Sequence, residues 1–195
     1  MKERGNIIII EGPQGVGKST MANFLRDNLA SSNLYRLTGI KDKTPTGNDK
    51  NKKMYLDLIE YMRNLEDYEL NLIFDRTFFS EQVYSLLKYK EYDFTEAYKV
   101  LVKRLAELNY NIYFAVLYLE DTSIYEKRIQ RVHHNYQSFS CENSINQQNT
   151  YLKLLNEIEE PNINKIKIPT DNFPTAYKML IERIPVLKNS NIEYK

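Results

Sequence analysis

Short apolar runs separated by polar segments dominate the pattern along the chain. The four strongest occupy residues 7–10, 70–74, 112–119 and 163–168, and each ends at a carboxylate residue or a proline. A weaker run occupies residues 34–37. Short apolar runs of this kind predict the strands of a buried sheet.

Helical spacing of apolar residues fills the intervals between these runs. We predict one helix after the first run and others over residues 54–65, 80–88, 95–108, 123–131, 144–159 and 175–186, with Thr95, Ser123 and Ser144 as N-caps. Residues 38–53 are polar and contain Gly39, Pro45 and Gly47, so they predict a long mobile loop. Alternating strands and helices indicate an α/β fold: a parallel sheet of about five strands between two layers of helices.

Length and charge restrict the class of protein. The chain has 195 residues, which favours a single domain over 1–195. Its 27 basic and 26 acidic residues nearly cancel, which argues against general nucleic-acid binding. Cys141 is the only cysteine, and no apolar stretch is long enough for export or for a membrane span. We therefore expect a cytoplasmic protein with no membrane contact.

A glycine-rich segment follows the first predicted strand. Residues 12–19 fit the pattern G-x-x-x-x-G-K-[ST], and a predicted helix follows, which is the order that a phosphate-binding loop requires. Glycines let the backbone turn its N–H groups toward phosphates, while a lysine charge and a serine hydroxyl serve the outer phosphates and Mg²⁺. The sequence therefore predicts binding of ATP and Mg²⁺ through Gly12, Gln14, Gly15, Val16, Gly17, Lys18, Ser19 and Thr20.

Asp75 and Arg76 end the strand predicted at residues 70–74. An acidic residue at the end of a strand beside a phosphate loop is the usual partner of the bound magnesium, so Ser19 and Asp75 are the predicted metal ligands. A guanidinium next to that carboxylate can hold a second phosphate group through paired hydrogen bonds. The pair therefore indicates a second phosphate site beside the first.

These motifs together carry a resemblance to a known family. The segment from Glu11 to Thr20, the pair Asp75 and Arg76, and the following Ser80 and Tyr84 resemble thymidylate kinases and related deoxynucleoside and deoxynucleotide kinases. The resemblance covers the order of elements over most of the chain. It implies a P-loop kinase fold with a mobile lid, and a homodimer formed through helices, although the sequence itself does not determine the oligomeric state.

The resemblance also implies which residues hold the acceptor. Arg76 would bind the acceptor monophosphate, and Arg36, at the end of the second strand, would assist it. An aromatic residue and an arginine on the next helix would hold the base. The candidates for acceptor binding are Arg36, Tyr55, Tyr61, Arg63, Arg76 and Tyr84. Gln14 replaces an acidic residue of the family, and residues 36–39 replace its Arg-Glu-Pro-Gly segment, so the base stays open.

Cations on the helix predicted at residues 123–131 suggest a cover for the site. Arg128 and Arg131 lie three residues apart, so on a helix their side chains lie on the same face, one turn apart. A kinase must offset the charge that develops on the transferred phosphoryl group. The resemblance implies that residues 123–143 form the lid and that its arginines supply this charge, so the predicted catalytic residues are Lys18, Asp75, Arg128 and Arg131.

The acceptor can be a nucleoside or a nucleoside monophosphate. A nucleoside hydroxyl needs a general base, and the glutamate that deoxynucleoside kinases carry after the second strand is missing here. A monophosphate is already anionic and needs arginines instead. The sequence favours a (deoxy)nucleoside monophosphate kinase. A deoxynucleoside kinase that uses Glu11 or Asp42 as its base, and a non-catalytic nucleotide-binding module, stay open as alternatives.

Overall fold

Five parallel strands form one sheet in the computed structural model, which describes residues 4–130 and 140–188 and, of residues 129 and 130, only the backbone. The strands are β1 (Asn6–Glu11), β2 (Ser32–Arg36), β3 (Asn71–Asp75), β4 (Asn111–Tyr118) and β5 (Ile163–Pro169), in the order β2-β3-β1-β4-β5. The predicted sheet is therefore confirmed, including its weakest strand.

Helices cover both faces of the sheet. They are α1 (Lys18–Asn28), α2 (Pro45–Arg63), α3 (Phe78–Leu86), α4 (Thr95–Ala106), α5 (Ile124–Gln130), α6 (Cys141–Glu157), α7 (Phe173–Arg183) and α8 (Pro185–Lys188). A short 3₁₀ helix occupies Glu66–Tyr68. Ile7 and Ile9 of β1 pack with α2, α3, α4 and α6, whereas Ile8 and Ile10 pack with α1 and α7. This alternation produces the predicted three-layer α/β architecture.

The strand register decides what meets at the carboxyl edge of the sheet. Asp75 at the end of β3 lies opposite Ile10 of β1 on one side and Arg36 of β2 on the other. The phosphate loop leaves β1 at this same edge, because it joins β1 to α1. Ligands of open parallel sheets bind beyond the carboxyl ends of the strands, so this edge is the candidate site.

The prediction of a loop over residues 38–53 is wrong beyond Thr44, because α2 begins at Pro45. Proline is suited to the first turn of a helix, since its φ is already helical and its missing N–H would have no partner there. Asp42 supports this start: its Oδ1 accepts hydrogen bonds from the Thr44 N–H and hydroxyl, and its Oδ2 pairs with Lys50 at 2.6 Å. Only residues 37–44 form the connection.

Two of the predicted N-caps are also misplaced. Ser140 caps α6 by accepting a hydrogen bond from the Asn143 N–H, and Ser144 is buried inside the helix. Thr95 is the first residue of α4, and its N–H donates to Asp93 Oδ1. In both places a polar residue a few positions earlier receives the first free N–H groups of the helix.

The predicted lid at residues 123–143 is described only at its two ends. Helix α5 covers Ile124–Gln130, and α6 begins at Cys141. Arg131 lies outside the described residues. None of the helices that the structure describes is both long enough and apolar enough to cross a membrane.

Candidate active site

The glycine-rich segment turns sharply between β1 and α1. Gly12, Gly15 and Gly17 have φ values of +142°, +79° and +97°. These are conformations that glycine adopts without steric cost and that other residues rarely adopt. Gly17 is the N-cap of α1, so the positive end of the helix dipole points into the turn. The segment therefore has the backbone geometry of an anion-binding loop.

The Lys18 ammonium is buried within this loop. Its Nζ donates a hydrogen bond of 2.6 Å to the Pro13 carbonyl. Burial lowers the pKa of Lys18 well below its ordinary value, and the nearby Arg76 charge lowers it further, while Asp75 and Glu11 raise it in part. An anion placed in the loop would reverse this shift, because it would stabilise the protonated form.

Ser19 and Asp75 lie side by side at the base of the loop. The Ser19 hydroxyl donates to Asp75 Oδ2 at 2.8 Å, and Arg36 Nε lies 3.8 Å from the same oxygen. The Arg36 side chain is half exposed and also donates to Asn23 Oδ1. A hydroxyl and a carboxylate are hard oxygen ligands, so the Ser19 and Asp75 pair fits Mg²⁺.

Arg76 has an unusual backbone conformation at the end of β3. Its φ of +78° lies in the left-handed region, which costs a residue with a side chain about 1–3 kcal/mol. Its N–H still continues the sheet by donating to Ile10 O at 3.2 Å. The guanidinium donates to the Tyr84 hydroxyl at 2.8 Å and to Ser80 Oγ at 3.4 Å. The strained backbone and these contacts direct the guanidinium along α3.

The electrostatic surroundings keep Arg76 charged. Burial alone would lower its pKa, but Tyr84, Tyr151, Glu11 and Asp75 together raise it. A permanently charged guanidinium beside the phosphate loop is suited to hold an anion through paired hydrogen bonds.

Glu11 is fully buried and fastens the start of α3. Its Oε1 accepts from the Thr77 N–H at 2.7 Å, and its Oε2 accepts from Ser80 Oγ at 2.7 Å. The Ser80 hydroxyl also shares a hydrogen bond with the Tyr151 hydroxyl. Burial raises the pKa of Glu11, although the hydrogen bond from Ser80 and the Arg76 charge oppose this rise. Both oxygens of Glu11 thus have structural partners.

One cleft connects these groups. Its volume is about 560 Å³, and four cationic side chains line it: Lys18 of the loop, Arg128 of α5, and Arg36 and Arg76 at the ends of β2 and β3. The lining residues are Gln14, Gly15, Gly17, Lys18, Ser19, Thr20, Arg36, Leu37, Thr38, Asp75, Arg76, Arg128 and Phe173. A phosphate loop and a second cationic group therefore face the same space.

Solved structures share this architecture. The thymidylate kinase of Candida albicans superimposes with a TM-score of 0.65 at 19% identity, covering 97% of this chain and 95% of that one. The Bacillus subtilis YorR protein, solved with phosphorylated GDP, gives 0.65 at 19% identity over 90% and 94%. Polyphosphate kinase 2 of Arthrobacter aurescens TC1 gives 0.70 at 12% identity over 100% and 71%.

The chain has the P-loop nucleotide kinase fold. No family model and no curated protein sequence matches it. At 12% to 19% identity, the structural likeness establishes this fold and leaves the substrate to be argued from the site.

Two of the residues predicted to bind the acceptor lie away from the cleft. Tyr55 is 1% exposed and packs edge-on against the Phe78 ring, so it belongs to the core. Arg63 is the last residue of α2 and pairs with Glu60 at 3.5 Å. Crossover helices run opposite to their strands, so the end of α2 lies at the other edge of the sheet. The prediction for Tyr55 and Arg63 does not fit their positions.

The two other tyrosines predicted to bind the acceptor, Tyr61 and Tyr84, lie at different distances from the site. The Tyr61 hydroxyl bonds to the Tyr35 hydroxyl of the edge strand β2, away from the phosphate loop. Tyr84 reaches the site through the Arg76 guanidinium, which it holds in place. The P-loop kinase fold thus brings Tyr84 to the predicted acceptor side and leaves Tyr61 outside it.

Arg128 lines the cleft and contacts the backbone of the phosphate loop. Its Nη1 is 3.2 Å from Val16 O and 3.5 Å from Gly15 O, and its Nη2 is 2.5 Å from Thr170 O. Its guanidinium also lies over the Phe173 ring, 5.4 Å from the centroid. The residue predicted to contact the transferred phosphoryl group is therefore bound to backbone carbonyls in this structure.

A buried polar network supports the connection after β2, and the sequence contained no signal for it. Glu81 of α3 pairs with Lys90 at 2.7 Å and also accepts from the Tyr92 hydroxyl. Asn51 accepts from the Ile40 N–H at 2.8 Å and donates to Tyr92 Oη at 3.1 Å. From sequence alone, charged residues in helical segments are expected at the surface. Only the folded structure shows that these side chains contact one another.

Proposed function

We propose that this protein is a nucleoside monophosphate kinase that transfers the γ-phosphoryl group of ATP to a (deoxy)nucleoside monophosphate. The observation that carries the proposal is the pairing of a phosphate loop with Arg36 and Arg76 across one cleft. Two phosphate groups that are to react must lie close together despite their mutual repulsion, and cations on both sides make this possible.

The donor half consists of the loop and the start of α1. Its backbone N–H groups and Lys18 bind the donor phosphates, and Ser19 and Asp75 hold the metal. When bound, Mg²⁺ supplies positive charge that offsets the charge of the donor phosphates. Lys18 positions the outer phosphate and stabilises the charge that develops on it.

The acceptor half consists of Arg76 and Arg36. Tyr84 and Ser80 fix the Arg76 guanidinium, so it is already oriented before the acceptor arrives. Arg36 is half exposed and adjoins Asp75, which leaves it able to turn toward a second anion. The two arginines align the acceptor phosphate for in-line attack on the donor.

The environments of the two candidate bases favour a monophosphate over a nucleoside. Glu11 has structural hydrogen bonds to both oxygens and holds α3 in place. Asp42 supports the start of α2, and hydrogen bonds from Lys50 and then Thr44 lower its pKa, which makes it a weak base. A phosphate acceptor needs neither of them, because its oxygen is already anionic.

The lid remains part of the proposal. Arg131, outside the described residues, is the proposed lid cation that contacts the transferred phosphoryl group. A covering segment would exclude water and strengthen the electrostatic interactions beneath it. Arg128, at the described end of this segment, has a different proposed role.

A second candidate function is phosphoryl transfer that involves a polyphosphate chain. One observation favours it: beside Arg36 and Arg76 the cleft is lined by Leu37 and Thr38, and Phe173 is the only aromatic residue among the described lining residues. A base usually stacks on an aromatic ring or an arginine plane. The architecture is also shared with polyphosphate kinase 2.

Removal of the Arg76 guanidinium tests the proposed role of the acceptor half. Arg76→Ala should raise the acceptor KM about 100-fold, because the charged hydrogen-bonding partner of the acceptor phosphate is lost, while Mg-ATP binding stays within about 3-fold. Arg104→Ala is the matched control, since Arg104 is an exposed arginine of α4 that pairs with Glu107. Equal loss of donor and acceptor binding would contradict the assignment.

A further inference from the structure

We propose that Arg128 is a positioning residue that holds the phosphate loop through its backbone carbonyls and does not contact the transferred phosphoryl group. The inference rests on the proposed function, because it concerns how the donor phosphates are bound. It assigns to this side chain the alignment of the two peptide units on either side of Val16.

The contacts of Arg128 converge on the backbone of the loop. Its Nη1 reaches the carbonyls of Val16 and Gly15, and its Nη2 reaches the carbonyl of Thr170, between β5 and α7. The Thr170 hydroxyl donates to Val16 O as well, at 2.7 Å. The Val16 carbonyl therefore accepts from two side chains, and Thr170 and Val16 are both fully buried.

The planarity of the peptide unit carries this effect to the phosphate side. In a trans peptide the carbonyl and the N–H point in opposite directions. A carbonyl held by Arg128 therefore turns the N–H of the same unit away from Arg128. The two units concerned contribute the N–H groups of Val16 and Gly17, and the single guanidinium shared by their carbonyl oxygens polarises both into stronger donors.

Phe173 completes the support. Its ring lies directly on Gly17, where a methyl group would overlap the Cζ atom of the ring. Arg128 lies over the same ring. The loop is thus held between the ring of Phe173, the hydroxyl of Thr170 and the charge of Arg128. A cation is attracted to the face of an aromatic ring, which helps to hold the guanidinium at the carbonyls.

Thr170 offers a matched pair of variants for the same carbonyl. Thr170→Val keeps the shape of the side chain and removes the hydroxyl that donates to Val16 O, whereas Thr170→Ser keeps the hydroxyl. If alignment of this peptide unit matters, Thr170→Val weakens phosphate binding and Thr170→Ser restores it. Neither variant changes the charge of the site.

The test compares two probes, Mg-ATP and inorganic tripolyphosphate with Mg²⁺, by calorimetry on the full chain. Arg128→Ala should weaken both probes by a similar factor of about 10, as expected for lost hydrogen bonds from a charged group. At saturating ATP, kcat should change less than about 3-fold. Arg128→Lys should recover part of the affinity, and Arg104→Ala should match the wild type.

Other outcomes would overturn the inference. A fall in kcat with unchanged binding of both probes would make Arg128 a group that contacts the transition state. Loss of ATP affinity with unchanged tripolyphosphate affinity would make it a contact to the donor base. Normal affinity of Thr170→Val for both probes would show that the hydrogen bond to the Val16 carbonyl does not affect phosphate binding. If the wild type bound neither probe, the proposed function itself would fail, which is a distinguishable result.

Discussion

At the scale of single residues, the site concentrates charge where burial makes it costly. Lys18 is buried within its loop, and Arg76 has a strained backbone beside it. The identity of both residues could be predicted from sequence, because loop motifs and strand-ending pairs are local patterns. The strain at Arg76 could not, since only the sheet and α3 together impose it. Such local costs are typical of functional sites.

Lys18→Met should abolish turnover and make the empty protein more stable. The variant replaces a buried, desolvated ammonium with an apolar side chain of similar length, for which we expect a gain of about 1–3 kcal/mol in the free energy of unfolding. Denaturant titration of the empty protein measures this gain. Lys103→Met, at an exposed position of α4, is the control and should change neither quantity. Normal turnover in Lys18→Met would contradict the assignment of the loop.

Donor binding should be accompanied by proton uptake. The pKa of Lys18 in the empty protein lies well below its ordinary value of 10.5. The contribution of Lys18 to the free energy of unfolding is therefore fully present above pH 10.5 and is lost as the pH falls through the lowered pKa. Bound phosphates raise that pKa again, so binding takes up a proton between the two values. Calorimetry in buffers of different ionisation enthalpy measures the uptake, and an equal uptake in Lys18→Met would argue against this origin.

At the scale of elements, the strand register places Arg36 and Arg76, the proposed acceptor residues, beside the phosphate loop. Buried apolar runs made all five strands predictable, and helical periodicity located the helices. The start of α2 was missed because Pro45 and Gly47 are typical loop residues. The buried network of Asn51 and Glu81 depends on contacts between distant segments, which local patterns do not encode.

Gly39→Ala tests the support of the connection after β2. A methyl group at this position would overlap Glu81 Oε2, whose carboxylate is held by Lys90 and Tyr92. We expect a loss of about 1–3 kcal/mol of stability, as for other overpacked sites, and a raised acceptor KM with unchanged donor binding. Lys41→Ala, at an exposed position of the same connection, is the control. A change confined to the donor KM would contradict this account.

At the scale of the whole molecule, the chain has the P-loop nucleotide kinase fold at identities of 12% to 19% to the solved structures. The order of strands and helices predicted the parallel α/β sheet, and the motifs at residues 11–20 and 75–76 carried the family resemblance that implied the P-loop kinase fold. The acceptor was less predictable, because the side chains that would read a base come from several elements. The homodimer, the lid and the cytoplasmic location stay predictions.

The most direct test of the central claim is a panel of acceptors for the wild-type protein with Mg-ATP. It contains matched pairs of nucleosides and nucleoside monophosphates, with inorganic polyphosphate as a further arm, and every product is identified. We predict that at least one monophosphate is converted to its diphosphate at a kcat/KM at least about 100-fold above that of its nucleoside. Preferential phosphorylation of a nucleoside, transfer only with polyphosphate, or no transfer to any acceptor would contradict the assignment as a monophosphate kinase.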